Sequence, residues 1–315
     1  MADAGSCSTI AERDGLWRSF AMRARLLLFL LPTLAFADAA KPDRVLKLWE
    51  GKPPGDFTVP GPEIVTPPKP TDKMPIMRLT NVSEPRLDLY VPEKPNGAAV
   101  VIVPGGGFGI LASEHEGSEL ATWFRERGFV AGVLQHRCPT NALPKPWEFP
   151  AWDTQRAISL LRSKAGELNV QPDRIGLFGF SAGGQVSLIA TTNDRFYPAA
   201  DTIDQVSPRP DFLMLCYAWK ILADQSTTEL KPEIKIDAKT PPTFIAQAYD
   251  DPGSLAEGST LAFLALRKAK VPAELHIYST GGHGFGMRPN PATQAPGDFP
   301  GRLELWLKTR GLLPK

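Results

Sequence analysis

The stretch "RIGLFGFSAGGQ", residues 174–185, sets Ser181 between glycines where an apolar run gives way to a helix-like segment. Gly179-Phe180-Ser181-Ala182-Gly183 has the G-x-S-x-G spacing of a sharp strand-to-helix turn. In such a turn the serine backbone is strained and its neighbours must be small. The strain lifts Oγ clear of the sheet and sets it at the positive end of the following helix. That placement serves nucleophilic attack, and a serine hydroxyl needs a base to attack anything. The chain has four histidines. His115 and His136 precede Ser181, whereas this kind of turn takes its base from later in the chain, after an acid. His276 lies inside the strand-like "AELHIY" and reads as structural. His283, in the glycine loop "TGGHGFG", can reach the serine unhindered and is the candidate base. The carboxylate that would hold the imidazole tautomer is expected after the next-to-last strand. There "PTFIAQAYDDPGS" ends in Asp250 and Asp251, and the residues alone leave that choice open.

Acyl transfer also needs preorganised donors for an oxyanion, each worth about 10²–10³ in rate. "IVPGGGFG" follows a strand-like run, and the amides of Gly106 and Gly107, with that of Ala182, are the expected donors. Phe108 in the same loop is a candidate substrate contact. Trp147 and Trp152 in "PKPWEFPAW" read either as stacking platforms for sugars or as pins for a proline-rich loop. "HEG", His115 to Gly117, reads as support for the oxyanion loop, and Asp153 as a helix N-cap.

These groups sit far apart in the chain, so a scaffold must gather them. "RLDLYV" alternates as a half-buried strand does. "AAVVIV", "FVAGVL", "RIGLFGF", "DFLMLCYAW", "PTFIAQAY" and "AELHIYS" are short apolar runs, suited to strands covered on both faces. Between them lie segments with helical spacing, such as "SELATWFRERG", "AWDTQRAISLLRSKAGEL" and "LAEGSTLAFLALRKAK". The alternation predicts an α/β fold: a mostly parallel sheet with helices on both faces and reactive groups at the strands' carboxyl ends. Too few residues separate the Asp153 helix from the serine turn for a large cap, so a shallow site is expected.

Residues 84–315 form the expected catalytic domain. Residues 40–83 precede it as a proline-rich arm: nine prolines fall between 42 and 75, removing amide donors and favouring extended chain. Residues 1–39 read as an N-terminal extension and signal peptide. Arg23 and Arg25 precede an apolar run from Leu26 to Ala37, with small residues in A-x-A spacing at Ala35, Ala37 and Ala39. The run is too short for a stable membrane anchor. Met22 is an alternative start, which would remove Cys7. Export would permit a disulfide between Cys138 and Cys216, although their apolar surroundings favour two free, buried thiols.

Composition is that of an ordinary globular protein, 43% hydrophobic and 22% charged. With 35 basic and 34 acidic residues and no long run of either sign, no nucleic-acid partner is expected. Histidines and cysteines show no zinc-binding spacing, so neither metal nor organic cofactor is expected. Oligomeric state is left open.

The landmarks "NVSEPRLDLYVP", "VIVPGGGFG", "HEGSELATWF", "DTQRAISLLRS", "GFSAGGQ" and "ELHIYSTGGHGFG" resemble those of α/β-hydrolases of the exported carbohydrate-esterase type. The chain is similar to acetyl xylan esterases, including the bifunctional feruloyl/acetyl group, from "LKLWEGKPPG" to the final helix. The resemblance implies a serine esterase that removes short acyl groups from acylated carbohydrate or small esters. It also aligns "DDPGSLAEGS" so that Asp251 takes the acid's place. The chain departs from the His-Gly-Gly-Gly of the hormone-sensitive-lipase branch, having Pro104 there. Two competitors share features with this reading: a serine peptidase of the prolyl-oligopeptidase kind, which would need a large added domain, and a non-catalytic carbohydrate-binding relative, which would be expected to lose a triad residue.

Overall fold

Apolar runs covered on both faces place alternate side chains in opposite cores, because successive strand residues point to opposite sides. Ala99, Val101 and Val103 pack into one cluster while Val100 and Ile102 pack into the other. The structure, a computed structural model, describes residues 41–72, 75–288 and 296–314. The expected signal segment and Cys7 lie outside these residues.

The strands are β1 (Arg44–Lys47), β2 (Ile64–Thr66), β3 (Arg78–Thr80), β4 (Arg86–Tyr90), β5 (Ala99–Val103), β6 (Val130–Gln135), β7 (Ile175–Phe180), β8 (Phe212–Cys216), β9 (Thr243–Ala248) and β10 (Ala273–Tyr278). The helices are α1 (Glu119–Glu126), α2 (Glu148–Ser163), α3 (Ser181–Thr192), α4 (Ala256–Lys268) and α5 (Phe299–Thr309). Eight strands form one sheet in the order β1-β4-β6-β5-β7-β8-β9-β10. β4 runs antiparallel to both neighbours, and the pairs from β6 to β10 are parallel. Helices α2, α3 and α4 cover one face through residues such as Ile158, Val186 and Leu266. Helices α1 and α5 cover the other through Phe124, Phe299 and Trp306. The chain steps from β5 to β6 on one side and then crosses to β7 on the other. The crevice between the carboxyl ends of β5 and β7 is thus a topological switch point, where open α/β sheets bind ligands.

The proline-rich arm contributes more than extended surface chain. Its proline-free segment "RVLK" keeps its amides and pairs as the edge strand β1. Further on, β3 pairs with β2, and Leu79 exchanges backbone hydrogen bonds of 2.9 and 2.7 Å with Leu111. The main sheet therefore begins upstream of residue 84. Cys138 and Cys216 are both free and buried, and burial pushes their thiols up, to about 11 for Cys138 and well above the ordinary value for Cys216. Among the described residues, no helix is long and apolar enough to cross a membrane.

Asp153 is not an N-cap. Helix α2 starts at Glu148 because Pro150 sits within its first turn, where a missing amide hydrogen costs nothing. Asp153 is consequently carried into the buried face of the helix, where it meets the equally buried Arg137. Its carboxylate accepts from Arg137 Nε and Nη2 at 2.9–3.1 Å, and from the Arg137 backbone amide at 3.0 Å. Arg137 Nη1 donates to the Pro54 carbonyl at 2.7 Å, which ties the arm to this pair. Removing one member of a buried pair leaves the other charge uncompensated. Asp153→Asn is expected to lower unfolding stability by about 3–5 kcal/mol in denaturant melts.

Candidate active site

The serine turn is built by two close backbone approaches. A Cβ on Gly183 would lie 2.1 Å from the Val103 carbonyl oxygen, and one on Gly179 would lie 2.5 Å from the Gly183 carbonyl oxygen. Only glycine fits either position. Between them Ser181 adopts a φ of +50°, a left-handed conformation costing about 1–3 kcal/mol for a residue with a Cβ. Ser181 caps the carboxyl end of β7 and opens α3, so Oγ stands at the helix's positive end.

Ser181 Oγ lies 2.8 Å from His283 Nε2. On the other side of the ring, His283 Nδ1 lies 2.8 Å from Asp251 Oδ2. Asp251 is 2% exposed, and its Oδ1 already accepts from the amides of Gly253 and Ser254 at 2.7 and 2.8 Å. An ionised carboxylate can only accept, so Nδ1 carries the ring proton and Nε2 presents its lone pair to the serine hydroxyl. Ser254 Oγ, 3.3 Å from Nδ1, shares that face. Asp250 has a different partner: its Oδ1 accepts from the Gly282 amide at 2.8 Å and so anchors the loop that carries His283. The two aspartates that the residue pattern left open thus take different positions, one on the ring and one on the loop.

The three expected oxyanion donors share a feature of their peptide units. The Gly106 amide belongs to the unit whose carbonyl, Gly105 O, accepts from Ala112 N at 3.0 Å. The Gly107 amide belongs to the unit whose carbonyl, Gly106 O, accepts from Gly109 and Ile110 at 3.1 and 3.2 Å. The Ala182 amide belongs to the unit whose carbonyl, Ser181 O, accepts from Trp219 N at 2.8 Å. Each bonded carbonyl fixes its peptide plane and polarises the N–H at the other end. Among the described residues no acceptor takes the amides of Gly106 or Gly107. Gly106 needs its freedom from a side chain: its φ is +131°, and a Cβ there would meet the Ile110 carbonyl at 2.1 Å. The loop is held from below by Glu116, whose Oε2 accepts from the Gly105 amide at 2.7 Å. The "HEG" residues belong to a short π-helical turn, Glu114–Ser118, that leads into α1.

A cleft of about 490 Å³ opens over Ser181 and His283, bordered by Gly106, Gly107, Ile110, His115 and Trp219. Asp72, Ile76 and Arg78 of the arm form a further wall. Arg78 grips Asp72 in a bidentate pair at 2.7 and 2.8 Å, which holds the Asp72 carboxyl below its ordinary range. Neither Trp147 nor Trp152 borders this cleft. Trp147 packs against Phe196, with centroids 5.5 Å apart, and Trp152 against Phe149 at 5.3 Å, so both rings are taken up by packing around the start of α2. Phe108 also turns inward, 5% exposed, and packs against Trp219. Trp219, Arg78 and Asp72 have no signal in the serine-histidine-acid pattern. Trp219 was findable only as an aromatic residue just past a strand's carboxyl end. Among the described residues no group of three or more His, Cys, Asp or Glu could hold a metal ion. What the arrangement can do is deprotonate a hydroxyl and stabilise the oxyanion of a tetrahedral acyl adduct.

The sheet order, the strained serine at its switch point and the histidine arriving after the last strand define an α/β-hydrolase. The chain is a member of that superfamily, related within it to the acetyl and feruloyl xylan esterase-like enzymes. The family model BD-FAE matches residues 87–211, and that of the Prolyl oligopeptidase family matches residues 153–295. An acetylxylan esterase from Xylanibacter ruminicola is 28% identical over 226 residues, covering 67% of this chain and 46% of that protein. The chain spans less than half the length of the curated relatives it matches. Among solved structures, the acetyl ester-xyloside bifunctional hydrolase from Caldicellulosiruptor lactoaceticus is 29% identical, with a TM-score of 0.66 over 87% of this chain and 98% of that one. Esterase 2 of Thermogutta terrifontis, phosphorylated by paraoxon, is 25% identical, with a TM-score of 0.63 over 80% of this chain and 96% of that one.

The different positions of the two aspartates can be checked directly. In Asp251→Asn the carboxamide must turn its NH₂ toward Nδ1, which forces the wrong imidazole tautomer. Turnover of 4-nitrophenyl acetate is expected to fall by about 10⁴-fold. Asp250→Asn keeps an oxygen for the Gly282 amide, so its turnover should stay near that of the wild type.

Proposed function

We propose that the protein is a serine carboxylic-ester hydrolase. The observation that carries this reading is the continuous line from Asp251 Oδ2 through His283 to Ser181 Oγ, with both contacts at 2.8 Å, beside three oriented amides. Ser181 Oγ attacks the acyl carbonyl carbon as His283 Nε2 takes the hydroxyl proton. The carbonyl electron pair moves onto oxygen, where the amides of Gly106, Gly107 and Ala182 receive it. Collapse of the adduct breaks the bond to the alcohol, which leaves with the proton from His283. Water, deprotonated by the same ring, then releases the acid and restores Ser181. Asp251 stabilises the imidazolium in both halves without itself taking the proton.

The substrate we infer is a short acyl group, acetyl above all, on a carbohydrate such as acetylated xylan. Two features support this. The cleft wall includes the Asp72–Arg78 pair, whose charged oxygens and nitrogens suit a hydroxyl-rich partner better than an apolar one. The two relatives with the names acetylxylan esterase and acetyl ester-xyloside bifunctional hydrolase point the same way. We further propose that the protein is exported, on the strength of the arginine-led apolar segment within residues 22–39 and the polymeric nature of such a substrate. The match to the Prolyl oligopeptidase family favours peptide hydrolysis as a second reading, since that chemistry uses the same three groups.

Ser181→Ala is expected to lower kcat on 4-nitrophenyl acetate by about 10⁴–10⁶-fold without unfolding the protein. Undiminished activity in that variant would remove Ser181 from the mechanism. In a substrate screen, acetate release from acetylated xylan should exceed cleavage of any peptide anilide, and 4-nitrophenyl esters should be turned over less well as the acyl chain lengthens. Faster peptide cleavage would favour the second reading.

A further inference from the structure

We infer that Tyr217 and Glu116 are positioning residues that lock the loop carrying His283 to the oxyanion loop, a role that rests on the esterase reading above. The oxyanion loop follows the central strand β5 and the histidine loop follows the edge strand β10, with β7, β8 and β9 between them. Their reacting groups must nonetheless meet around one acyl carbon, and no strand pairing sets that distance. Tyr217 supplies the connection. It is the first residue after β8, fully buried, and held at a left-handed φ of +38°. Its hydroxyl oxygen accepts from the Gly286 amide in the histidine loop at 2.9 Å. Its hydroxyl hydrogen goes to Glu116 Oε1 at 2.9 Å, while Glu116 Oε2 takes the Gly105 amide at 2.7 Å.

Both amides can only donate, and a Glu116 carboxylate can only accept, so the phenol proton of Tyr217 lies toward Glu116. Burial, reinforced by the Glu116 charge, keeps the phenol well above its ordinary value. The Tyr217 ring adds a second restraint, meeting the His283 ring edge-on with centroids 5.1 Å apart and the Phe285 ring at 4.6 Å. A parallel strut comes from the neighbouring residue in sequence: His115 Nε2 donates to the Gly284 carbonyl, and a Cβ on Gly286 would meet the His115 ring. Of two adjacent residues in one turn, His115 thus grips the histidine loop directly, and Glu116 grips the oxyanion loop directly and the histidine loop through Tyr217. With the line cut, the imidazole keeps its partners Asp251 and Ser181 but loses its register with the oxyanion amides. A shift of about 1 Å in such a site costs about 10²-fold in rate.

The test is Tyr217→Phe, which removes one oxygen and leaves the ring. On 4-nitrophenyl acetate kcat should fall by about 10- to 10²-fold while KM stays within about twofold. The low-field proton resonance of His283 Nδ1–H should shift or broaden in the same variant. Glu116→Gln approaches from the other end, since its carboxamide NH₂ must then either face the Gly105 amide or take the place of the oxygen that accepts the Tyr217 proton; its kcat should fall comparably. The double variant should be no slower than the worse single one, because both act through one line. Wild-type kcat and an unmoved resonance in Tyr217→Phe would overturn the inference, as would losses that multiply in the double variant. If Glu116→Gln does not fold, Tyr217→Phe decides alone. A wild-type protein inactive on every ester would end the esterase reading, and the resonance, which needs no turnover, would still decide this one.

Discussion

The approach of helix α3 to the end of strand β5 leaves no space for a side chain, and the rest of the site is arranged around that contact. With Gly183 pressed against the Val103 carbonyl, the chain can pass from β7 into α3 only by bending at Ser181. The bend is why the serine is left-handed and why its Oγ projects into the crevice. The same approach brings the Ala182 amide beside the loop that leaves β5. A looser helix would relieve the strain at position 181 and separate the two halves of the oxyanion site. Strands β5 and β7, buried along their whole length, supply the packing that holds the strained turn in place.

Burial is graded across the three reactive groups. Asp251 is 2% exposed and accepts three hydrogen bonds, and Ser181 is 5% exposed, whereas the His283 side chain is 33% exposed. The group that must carry a proton between two oxygens is the one with room to move, and the group that only orients it is immobilised. Backbone geometry completes the division of labour. The carbonyls of Gly105, Gly106 and Ser181 are each bonded to another amide, which fixes the peptide units that carry the Gly106, Gly107 and Ala182 N–H groups.

The arm acts on this centre from outside the main α/β alternation. β3 bonds to the oxyanion loop through Leu79 and Leu111, and Thr80 Oγ1 donates to the Gly109 carbonyl at 3.1 Å. On the far side, Arg288 at the end of the histidine loop donates to the Pro75 carbonyl at 2.6 Å and pairs with Glu119 of α1. Asp72 and Arg78 thereby become a wall of the cleft. The scaffold that supplies the reactive groups is common to many chemistries, while this wall is a local addition that shapes what can approach them.

Much of the fold was legible in the amino-acid order because strands buried on both faces must be largely apolar, and β5 to β9 are, with Gln135, Thr243 and Gln247 the polar exceptions. The serine turn was legible for a related reason: close backbone packing admits only glycine, and glycines at 179 and 183 record it. Chain order set aside His115 and His136, the strand-like run set aside His276, and the acid was narrowed to two neighbours. Those neighbours are chemically identical, so spacing left them open; the resemblance aligned Asp251 as the acid, and three-dimensional placement gives each its partner, Asp251 the ring and Asp250 the loop. The same holds for Asp153, whose capping role disappeared once Pro150 proved to lie inside the first turn, and for Trp147 and Trp152, which packing turned away from the cleft. Tyr217, Trp219 and the Asp72–Arg78 wall belong entirely to the tertiary structure. Tyr217 and Trp219 join segments far apart in sequence through hydrogen bonds and ring edges, and the local Asp72–Arg78 pair meets the cleft only through the fold; such contacts leave no periodicity or spacing to read.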